Sequence, residues 1–521
     1  MVYGIDLGTT NSCIAYIDQY GEPEILKNSE GHDTTPSVVY YSPEGTAIVG
    51  GSAHNNLKHD PQNTVVHIKR EMGTAYHKPT KFPTGATPVE ISALILKKLV
   101  ADANEATDQN CKDVIITVPA AFGAEARAAT KDAGKMAGLN VLRIVNDPTA
   151  AAIAYGTARS NATEGPQYIF VYDLGGGTFD VTLLKVENSR FNVLITKGDQ
   201  HIGGLDWDRR LAEKMLFEYN KQVGTSLSLD TDEILKYTFL EAAEELKKQL
   251  TSRNRCTYAY RWDQKAIAPI FTRADFETLT KDLLQKTLNI VEETIQEALG
   301  KGVDLQSGNV NFLLVGGSSR MPQVKENVQT LLGKYNITAE PKLYEPDLCV
   351  AKGAAQITEA IKESAPNSPV EKPGKSFTDV SSKTYGIMVH SDQGDEVLNF
   401  IFAQTRLPHK VKHSFKTSFD GQTIVLLNIY ESTSPEQYIP LSAAKLLDKS
   451  NKIMLPCPMP KGAKITIEFL LDEQNILHLS TEFFHNEKSI KNKFEVKISG
   501  ESSEEEIKNG QAYVTNYLPG A

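Results

Sequence analysis

Cysteine is scarce in this sequence and never occurs in closely spaced pairs. The chain has 521 residues and five cysteines, which are Cys13, Cys111, Cys256, Cys349 and Cys457. An odd number of widely separated cysteines disfavours both a disulfide framework and a zinc site. Free cysteines are usual in reducing compartments, so the sequence favours such a compartment.

Long apolar runs and an excess of positive charge are also missing. No stretch of 18 consecutive apolar residues occurs, which excludes a typical transmembrane helix. The 55 basic and 65 acidic residues give a net charge of −10, which argues against nucleic acid or an anionic membrane as the main partner. The first residues, Met1–Asp6, have neither the basic segment nor the apolar segment of a secretory leader. We therefore expect a cytoplasmic protein.

Strand-like and helix-like segments alternate over most of the chain. A β-branched run at 114–118 is followed by Pro119 and by an alanine- and charge-rich stretch at 120–138. Thr87-Pro88-Val89-Glu90 has the spacing of a capping box, and it precedes apolar residues at helical spacing, namely Ile91, Leu94, Ile95 and Leu99. Alternation of this kind predicts an α/β fold, and the length of the chain predicts more than one domain.

The composition changes near residue 365. Residues 365–379 contain three prolines and show no periodicity, which is typical of a linker. Beyond them apolar and polar residues alternate, as in Ile465, Ile467 and Phe469 and in Phe494, Val496 and Ile498. We therefore predict an α/β domain over 1–364, a linker over 365–380, an all-β module over 381–499 and a short tail over 500–521. Within the tail, Ser503-Glu504-Glu505-Glu506 has capping-box spacing and could begin a helix.

An internal repeat is the most informative feature of the sequence. A β-like segment at 2–5 leads into Asp6-Leu7-Gly8-Thr9-Thr10-Asn11-Ser12, and a second one at 168–172 leads into Asp173-Leu174-Gly175-Gly176-Gly177-Thr178-Phe179-Asp180. Glycine lets the backbone turn tightly and brings N–H groups close to phosphate oxygens. An aspartate beside bare phosphate is repelled, so its presence implies a cation, and Mg²⁺ is the natural choice. The repeat thus predicts two loops that hold ATP between two similar lobes.

Two further glycine pairs support this prediction. They lie in His201-Ile202-Gly203-Gly204 and in Val315-Gly316-Gly317-Ser318-Ser319-Arg320. A lone glycine pair is more often a turn than a ligand contact, so their value comes from occurring together with the two loops. Arg320 could stack on a purine or pair with a phosphate, because the guanidinium is planar and always charged.

Four segments resemble the signatures of the seventy-kilodalton heat-shock chaperones, the DnaK family. They are residues 6–12, 141–152, 173–180 and 315–322. The resemblance extends from residue 2 to about residue 360, and it is more specific than the loop pattern that actins and sugar kinases also have. It implies an actin-like, two-lobed ATPase domain with ATP at the base of the cleft, followed by a β-sandwich that binds substrate.

The resemblance also implies roles for individual residues. The residues matched to catalysis are Lys69, Asp147, Asp173, Thr178 and Asp180. Asp6 and Asp173 would hold Mg²⁺ through water molecules, and Lys69 would polarise the γ-phosphate. The nucleotide contacts would be Asp6, Gly8, Thr9, Thr10, Asn11, Gly175, Gly176, Gly177, Gly203, Gly204, Glu244, Lys247, Thr251, Gly316, Gly317, Ser318, Arg320 and Asp347. In the β module, a loose alignment places Ile424, Val425 and Leu427 either in the peptide groove or in the core.

The sequence departs from the family pattern at several places. The linker is rich in proline and lysine, with Phe377 and Val380 near its end, where the family has an apolar run. Asp147 stands at a glutamate position. Ala121, Gly123 and Ala124 replace an aromatic residue and an Asn-Asp pair. The helical lid of the family has no counterpart in these 521 residues, so we expect rapid exchange of bound peptide.

These features favour an ATP-dependent chaperone, a slow and partner-stimulated ATPase that controls binding of extended apolar peptide. ATP or ADP with Mg²⁺ would be its cofactors, K⁺ a further candidate cation, and J-domain and nucleotide-exchange proteins its co-chaperones. A nucleotide-switched scaffold that binds one specific partner is the alternative, because the linker and the lid differ from the family. A sugar kinase is a third hypothesis, which the β module disfavours.

Overall fold

The computed structural model describes most of the chain. It covers residues 1–74, 76, 85–158, 166–363, 376–391, 394–485, 488–492 and 502–519. Residues 364–375 of the predicted linker and the predicted strand around Phe494, Val496 and Ile498 lie outside the described residues. Within the described residues, no helix combines the length and the apolar character that crossing a membrane requires.

The first lobe is a mixed sheet covered by helices. Its strands are β1 (Tyr3–Asp6), β2 (Asn11–Ile17), β3 (Pro23–Ile25), β4 (Thr35–Pro36), β5 (Val39–Tyr41), β6 (Ala47–Val49), β7 (Thr64–Val65), β8 (Asp113–Val118) and β9 (Asn140–Asn146). Its helices are α1 (Gly51–His54), α2 (Pro88–Thr107), α3 (Ala124–Met136) and α4 (Asp147–Ala158). The main sheet has the order β3-β2-β1-β8-β9, in which β1 is antiparallel to β2 and parallel to β8.

Helix α2 begins where the sequence predicts. The Thr87 hydroxyl accepts a hydrogen bond from the Glu90 backbone N–H, and the Glu90 carboxylate accepts one from the Thr87 N–H. This reciprocal cap satisfies two of the backbone donors that the first turn of a helix leaves free. The predicted apolar residues Ile91, Leu94, Ile95 and Leu99 are all buried between α2 and the sheet.

The second lobe repeats the topology of the first. Its strands are β10 (Gln167–Leu174), β11 (Phe179–Glu187), β12 (Arg190–Asp199), β13 (Arg255–Thr257), β14 (Tyr260–Trp262), β15 (Lys265–Ile267), β16 (Ile270–Thr272), β17 (Val310–Val315) and β18 (Pro341–Leu343). Its helices are α5 (Gly204–Val223), α6 (Glu233–Ser252), α7 (Arg273–Leu279), α8 (Lys281–Gly300), α9 (Pro322–Lys334) and α10 (Cys349–Glu363). The main sheet has the order β12-β11-β10-β17-β18, with β10 antiparallel to β11 and parallel to β17. The two copies of the internal sequence repeat therefore lie at equivalent positions in two sheets of the same topology.

Two helices join the lobes. Helices α4 and α10 pack against each other, and their small side chains share one core cluster with residues of both main sheets. Close approach explains the small residues here, because a Cβ on Gly353 of α10 would lie 1.8 Å from the Ala150 carbonyl oxygen of α4. This helix pair places the ends of β1 and β10 opposite each other.

The β module is a sandwich of two antiparallel sheets. One contains β20 (Thr384–Ser391), β21 (Gly394–Ile401), β23 (Gln422–Ser432), β24 (Tyr438–Pro440) and β25 (Lys445–Met459); the other contains β22 (His409–Lys416), β26 (Lys464–Leu471), β27 (Leu477–His485) and β28 (Lys488–Asn492). The predicted alternation is confirmed in β26, where Ile465, Ile467 and Phe469 face a core that also includes Leu427 and Ile429. The strand β19 (Ser376–Thr378) is not part of the sandwich, because it pairs in parallel with β12 of the second lobe.

The tail forms one helix, α11 (Glu504–Tyr517), which packs against α2 and α3 of the first lobe. Its predicted capping box is confirmed, since Ser503 and Glu506 exchange both capping hydrogen bonds. The α/β fold class with a following β sandwich is likewise confirmed. The domain limits proposed from the sequence stay a prediction.

Candidate functional site

The two predicted phosphate loops face each other across the cleft. The first connects β1 to β2 and the second connects β10 to β11. A Cβ on Gly176 would lie 2.0 Å from the Thr10 hydroxyl oxygen, and one on Gly177 would lie 2.5 Å from Thr9 Cγ2. Glycine is thus required where the loops meet, because any side chain would separate the two surfaces that we expect to hold the phosphates.

Internal hydrogen bonds fix the shape of each loop. In the first loop the Gly8 N–H donates to Ser12 Oγ at 3.1 Å, and Ser37 Oγ donates to the Gly8 carbonyl at 2.8 Å. In the second, the Gly175 N–H donates to the Thr178 carbonyl at 3.1 Å, and the Gly204 N–H donates to the Gly175 carbonyl at 2.9 Å. Preformed loops of this kind need little rearrangement to bind an anion.

Four carboxylates and one ammonium group converge beside these loops. Burial raises the pKa of Asp6 and of Asp180 to about 7 and that of Asp173 well above its usual range. The charge of Asp147 contributes to all three increases in pKa, whereas the charge of Lys69 opposes them. Lys69 Nζ lies 3.2 Å from Asp147 Oδ2, and both side chains are buried. A bound cation would stabilise the charged form of these carboxyl groups, although no three acidic side chains of the described residues lie close enough together to bind a metal ion directly.

Two buried polar atoms at this position have no hydrogen-bond partner in the described part of the chain. They are Asp147 Oδ1 and Thr10 Oγ1. A buried polar atom without a partner is costly, so native proteins usually satisfy it with water, an ion or a ligand. The residues therefore fit a nucleotide with its cation.

Arg70 joins the lobes directly above the second loop, and the sequence gave no signal for it beyond its place next to Lys69. Its Nε donates to the Gly177 carbonyl at 2.8 Å, and its Nη2 lies 2.7 Å from Asp206 Oδ2. The same carboxylate accepts the Gly203 N–H at 2.8 Å. Arg70 therefore ties the first lobe to both glycine segments of the second.

The predicted adenosine residues gather on α6 and on the turn after β17. Lys247 Nζ lies 2.8 Å from the Asp208 carboxylate, and a Cβ on Gly204 would lie 2.2 Å from Ser318 Oγ. Glu244 pairs with Lys248 at 2.8 Å. Thr251 lies one turn beyond Lys247 and donates its hydroxyl hydrogen to the Lys247 carbonyl. The predicted helix face is thus beside the glycine pair at 203–204.

The turn after β17 completes this pocket. Gly316 has a φ of 80°, a left-handed conformation that favours glycine, and a Cβ there would lie 2.4 Å from the Leu174 carbonyl oxygen. Arg320 Nη2 lies 2.5 Å from Asp347 Oδ2, and Asp347 Oδ1 lies within 3.1 Å of the Cβ position of Gly317. Arg320 is half-exposed and paired with a carboxylate, which leaves its planar face as the surface for a base.

A chain of hydrogen bonds leads from the nucleotide cleft to the β module. Asp180 accepts the Ala120 and Ala121 N–H groups at 3.2 and 3.0 Å. The guanidinium of Arg127, which is 2% exposed, donates to Asn146 Oδ1, and Asn146 Nδ2 donates to Asp379 Oδ2 at 2.7 Å. Asp379 directly follows the strand β19, so the path ends where the β module begins.

The segment in which the sequence departs from the family also contacts the β module, through main-chain and side-chain groups, and Ala124 is buried in the core of the sandwich. Glu431 of β23 accepts the Ala124 N–H at 3.1 Å and so caps α3, whose own N-cap residue, Gly123, has no side chain to do so. A Cβ on Gly123 would lie 2.3 Å from the Glu431 carboxylate. Glu125 pairs with Lys445 of β25.

The three residues considered for the peptide groove do not share one face of β23. Leu427 is 3% exposed and belongs to the sandwich core, Val425 is half-buried at the edge of that core, and Ile424 is 38% exposed on the outer face. Successive side chains of a strand point to opposite faces, which explains the difference between neighbours. Val389 and Phe415 are also half-buried beside the core. These two residues carried no sequence signal.

Comparisons with known proteins agree with this geometry. The family model for Hsp70 proteins matches residues 2–84 and 84–516. The chain belongs to the Hsp70 family. Two curated relatives are chaperone protein DnaK of Thermosipho melanesiensis and of Thermosipho africanus, each 36% identical over 492 residues. The alignments cover 92% of this chain and 78% and 77% of the two relatives.

Hsp70 proteins are ATPases of the chaperone class, so the cleft between the lobes is the nucleotide site of an ATPase. The recognition drawn from the four sequence segments is therefore confirmed, and the sugar-kinase hypothesis is not needed. The roles of the individual residues in this Hsp70 stay predictions, which the structure supports by bringing them together.

One histidine in the cleft of this Hsp70 supplies a prediction about pH. His67 has a φ of 59° and directly precedes the 3-10 turn Ile68–Glu71 that carries Lys69. Burial and the charge of Arg70 lower its pKa to about 4, with Glu244 opposing the shift. Below pH 6.5 the unfolded chain binds a proton that the folded protein does not bind, so stability present at pH 7 is lost as the pH falls toward 4.

We expect His67→Gln to flatten this dependence between pH 7.5 and pH 5, measured as the difference in Tm without nucleotide. One kcal/mol corresponds to roughly 2–4 °C of Tm in a domain of 150–250 residues, and to less in a larger domain such as this one. The exposed His59, eight residues earlier, provides a matched control as His59→Gln. Equal slopes in wild type and in His67→Gln would contradict the assignment.

Proposed function

We propose that this protein is an ATP-dependent molecular chaperone in which slow hydrolysis in the N-terminal cleft controls the binding of extended apolar peptide by the β module. The observation that carries the proposal is the continuous path from Asp180 through Arg127 and Asn146 to Asp379. The path connects a carboxylate of the nucleotide site to Asp379, in the segment that leads into the first strand of the sandwich. A change at the phosphates therefore has a physical route to the module.

The nucleotide would be held by both loops, with Asp6 and Asp173 as the water-mediated ligands of Mg²⁺. When bound, Mg²⁺ would neutralise the phosphate charge, and K⁺ is a further candidate cation for the same acidic site. Lys69 would supply positive charge at the γ-phosphate, and Asp180 and Asp147 would orient the attacking water. Hydrolysis of this kind needs positioning and charge neutralisation rather than a covalent intermediate.

The peptide would bind where the two sheets of the sandwich separate. Val389, Phe415 and Val425 are half-buried beside the core, so they offer apolar surface that the module does not cover itself. Such a groove would bind unfolded or extended polypeptide, with J-domain and nucleotide-exchange proteins as co-chaperones in a cytoplasmic setting.

Steady-state ATP hydrolysis with a panel of extended apolar peptides tests this function. We expect peptide to stimulate hydrolysis in the wild type and not in Asp379→Ala, because that variant interrupts the path. Asp395→Ala, an acidic position of β21 distant from the path, is the control and should respond as wild type does. Absence of peptide binding in both nucleotide states, measured by fluorescence anisotropy, would refute the chaperone proposal.

A nucleotide-switched scaffold for one specific partner is the second candidate function. It is favoured by the apolar outer face of the sandwich, where Ile424 pairs with Met454 across strands and Leu426 follows. Ile424 is 38% exposed, Met454 is 55% exposed and Leu426 is 65% exposed. Exposed apolar side chains grouped in this way mark many protein-binding surfaces.

Neighbouring residues on opposite faces of β23 distinguish the two functions. If the module is a peptide chaperone, we expect Val425→Thr to weaken peptide binding about tenfold, roughly 1.4 kcal/mol, and Leu426→Thr to leave it unchanged. Peptide titrations with both variants check this. The reverse order, combined with tight binding of one native protein, would favour the scaffold.

A further inference from the structure

A cavity of about 190 Å³ lies on the second lobe, and neither phosphate loop lines it. One wall is a face of α6, and the other is the segment 258–261, which leads into and begins β14. Lys58 of the first lobe also lines the cavity. A cavity of about 150 Å³ can hold benzene, whereas drug-sized ligands occupy about 300 Å³ or more. This cavity therefore fits a ligand the size of one ring or one short side chain.

Helix α6 turns different faces to this cavity and to the predicted adenosine. The α6 residues that line the cavity recur at helical spacing and so share one face of the helix; they are Thr238, Glu241, Ala242 and Glu245. The adenosine residues predicted from the sequence, Glu244, Lys247 and Thr251, lie on another face. A ligand in the cavity would therefore be bound in addition to the nucleotide.

Four charged side chains line the cavity, and two of them neutralise each other. Lys58 Nζ lies 2.7 Å from Glu241 Oε2. The other two are Glu245 and Arg261, and neither has an ion-pair partner among the residues that the structure describes. They belong to opposite walls, since Glu245 lies on α6 and Arg261 on β14. The cavity thus offers one negative and one positive group to a ligand.

The negative group is held in place by a neighbouring tyrosine. Tyr258 Oη donates to Glu245 Oε2 at 2.7 Å, and the Tyr258 side chain is mostly buried. Burial and this hydrogen bond raise the pKa of Tyr258, so its hydroxyl remains a donor at neutral pH. A carboxylate fixed in this way loses little conformational freedom when a ligand binds. The rings of Phe239 and Tyr260 add apolar surface to the same cavity.

We propose that this cavity binds a small α-amino acid with an apolar side chain, in its zwitterionic form. Arg261 would pair with the α-carboxylate, whose two oxygens match the fork of the guanidinium. Glu245 would accept the α-ammonium group, and the aromatic rings together with Ala242 would cover the apolar side chain. The site does not depend on whether the β module binds peptide, because it is formed by residues of the two lobes alone.

Calorimetric titration of the full chain with three probes of one shape tests the need for both charges. L-leucine has both charges, isopentylamine has only the ammonium group and 4-methylpentanoate has only the carboxylate. We expect L-leucine to bind with one-to-one stoichiometry. Each probe with a single charge should bind about tenfold more weakly or worse, since it lacks one charge-assisted hydrogen bond.

Variants of the two charged residues assign each charge of the ligand to its partner. In Arg261→Gln we expect the affinity for L-leucine to fall to that for isopentylamine, and in Glu245→Gln to that for 4-methylpentanoate. Lys265→Gln in the same hairpin and Glu233→Gln at the start of α6 are controls, because both residues are exposed and neither lines the cavity. Both controls should bind L-leucine as wild type does. Tm shows that each variant is folded.

Three outcomes would overturn the proposal. The first is that L-alanine, L-leucine and L-phenylalanine all fail to give saturable binding at millimolar concentration. The second is that wild type binds the three probes of one shape equally well. The third is that Arg261→Gln and Glu245→Gln keep the wild-type affinity, which would show that L-leucine binds elsewhere.

Discussion

Replacement of Lys69 by alanine is expected to lower kcat for ATP hydrolysis by about 10²–10³-fold, the typical cost of removing one preorganised charge-stabilising group. The side chain is 5% exposed and is the cation that lowers the pKa of Asp6, Asp173 and Asp180. Without it, the developing charge on the phosphates loses its nearest protein cation. ADP affinity, measured by calorimetry, should change much less than kcat.

The ion pair between Lys69 and Asp147 allows a second test of this prediction, by a double-mutant cycle. Because Lys69 and Asp147 are in direct contact, the losses in Lys69→Ala and Asp147→Asn should not add in the double variant. Lys112→Ala is the control, since this exposed lysine precedes β8 at the opposite end of the sheet from the loops. A Lys69→Ala protein that retains more than about a third of wild-type kcat would be inconsistent with a catalytic lysine.

Loss of the Arg127 side chain is expected to have the largest effect on stability. Arg127→Ala removes a fully buried guanidinium that donates to Asn146 Oδ1, to the Phe122 carbonyl and to the Ala120 carbonyl. Breaking a buried charged network typically costs about 3–5 kcal/mol, because the buried Asp379 carboxylate loses the positive charge of Arg127 that lowers its pKa, although the two side chains are not in direct contact. At about 2 °C or less per kcal/mol for a domain of this size, Tm should fall by roughly 5–10 °C.

Arg143 offers a matched comparison for this effect. It lies nearby, stacks on the Phe377 ring at 4.2 Å and pairs at 3.4 Å with Glu473, whose side chain is 63% exposed. An ion pair with an exposed partner contributes about 0–1 kcal/mol, so Arg143→Ala should shift Tm far less. Combining Arg127→Ala with Asp379→Asn in a double-mutant cycle should recover part of the loss. Independent effects of the two changes would argue against the path between them.

The contacts of the linker could not be predicted from sequence patterns. Its prolines and lysines replace the apolar run of the family, and this difference was one reason for the alternative of a nucleotide-switched scaffold. In the structure, Phe377 pairs within β19 and stacks on Arg143, while Asp379 receives the Asn146 side chain. Neither contact has a local signature, because each depends on residues more than 180 positions earlier in the chain. Sequence spacing cannot predict pairing over such a distance.

In the β module, the burial of individual side chains likewise could not be predicted from the sequence. A loose alignment placed Ile424, Val425 and Leu427 in one strand, but it did not decide whether their side chains lie in the groove or in the core. Leu427 is covered by the second sheet, whereas Ile424 is not, although both are apolar. Whether a face is buried depends on what packs against it, and that is a property of the tertiary structure.

The sequence by itself determined the two-lobed ATPase fold, the paired phosphate loops, the capped helices and the membership of the Hsp70 family. The repeated loops and the capping boxes are local patterns, so residue types and their spacing predict them, whereas the ATPase fold and the family followed from the resemblance of four segments to the family's signatures. Only the tertiary structure decided the Arg70 bridge between the lobes, the cap that Glu431 provides for α3, and the docking of α11 on the first lobe. Each of these brings together groups that are distant in the chain, and their contact energies exist only when the fold has placed them within reach of one another.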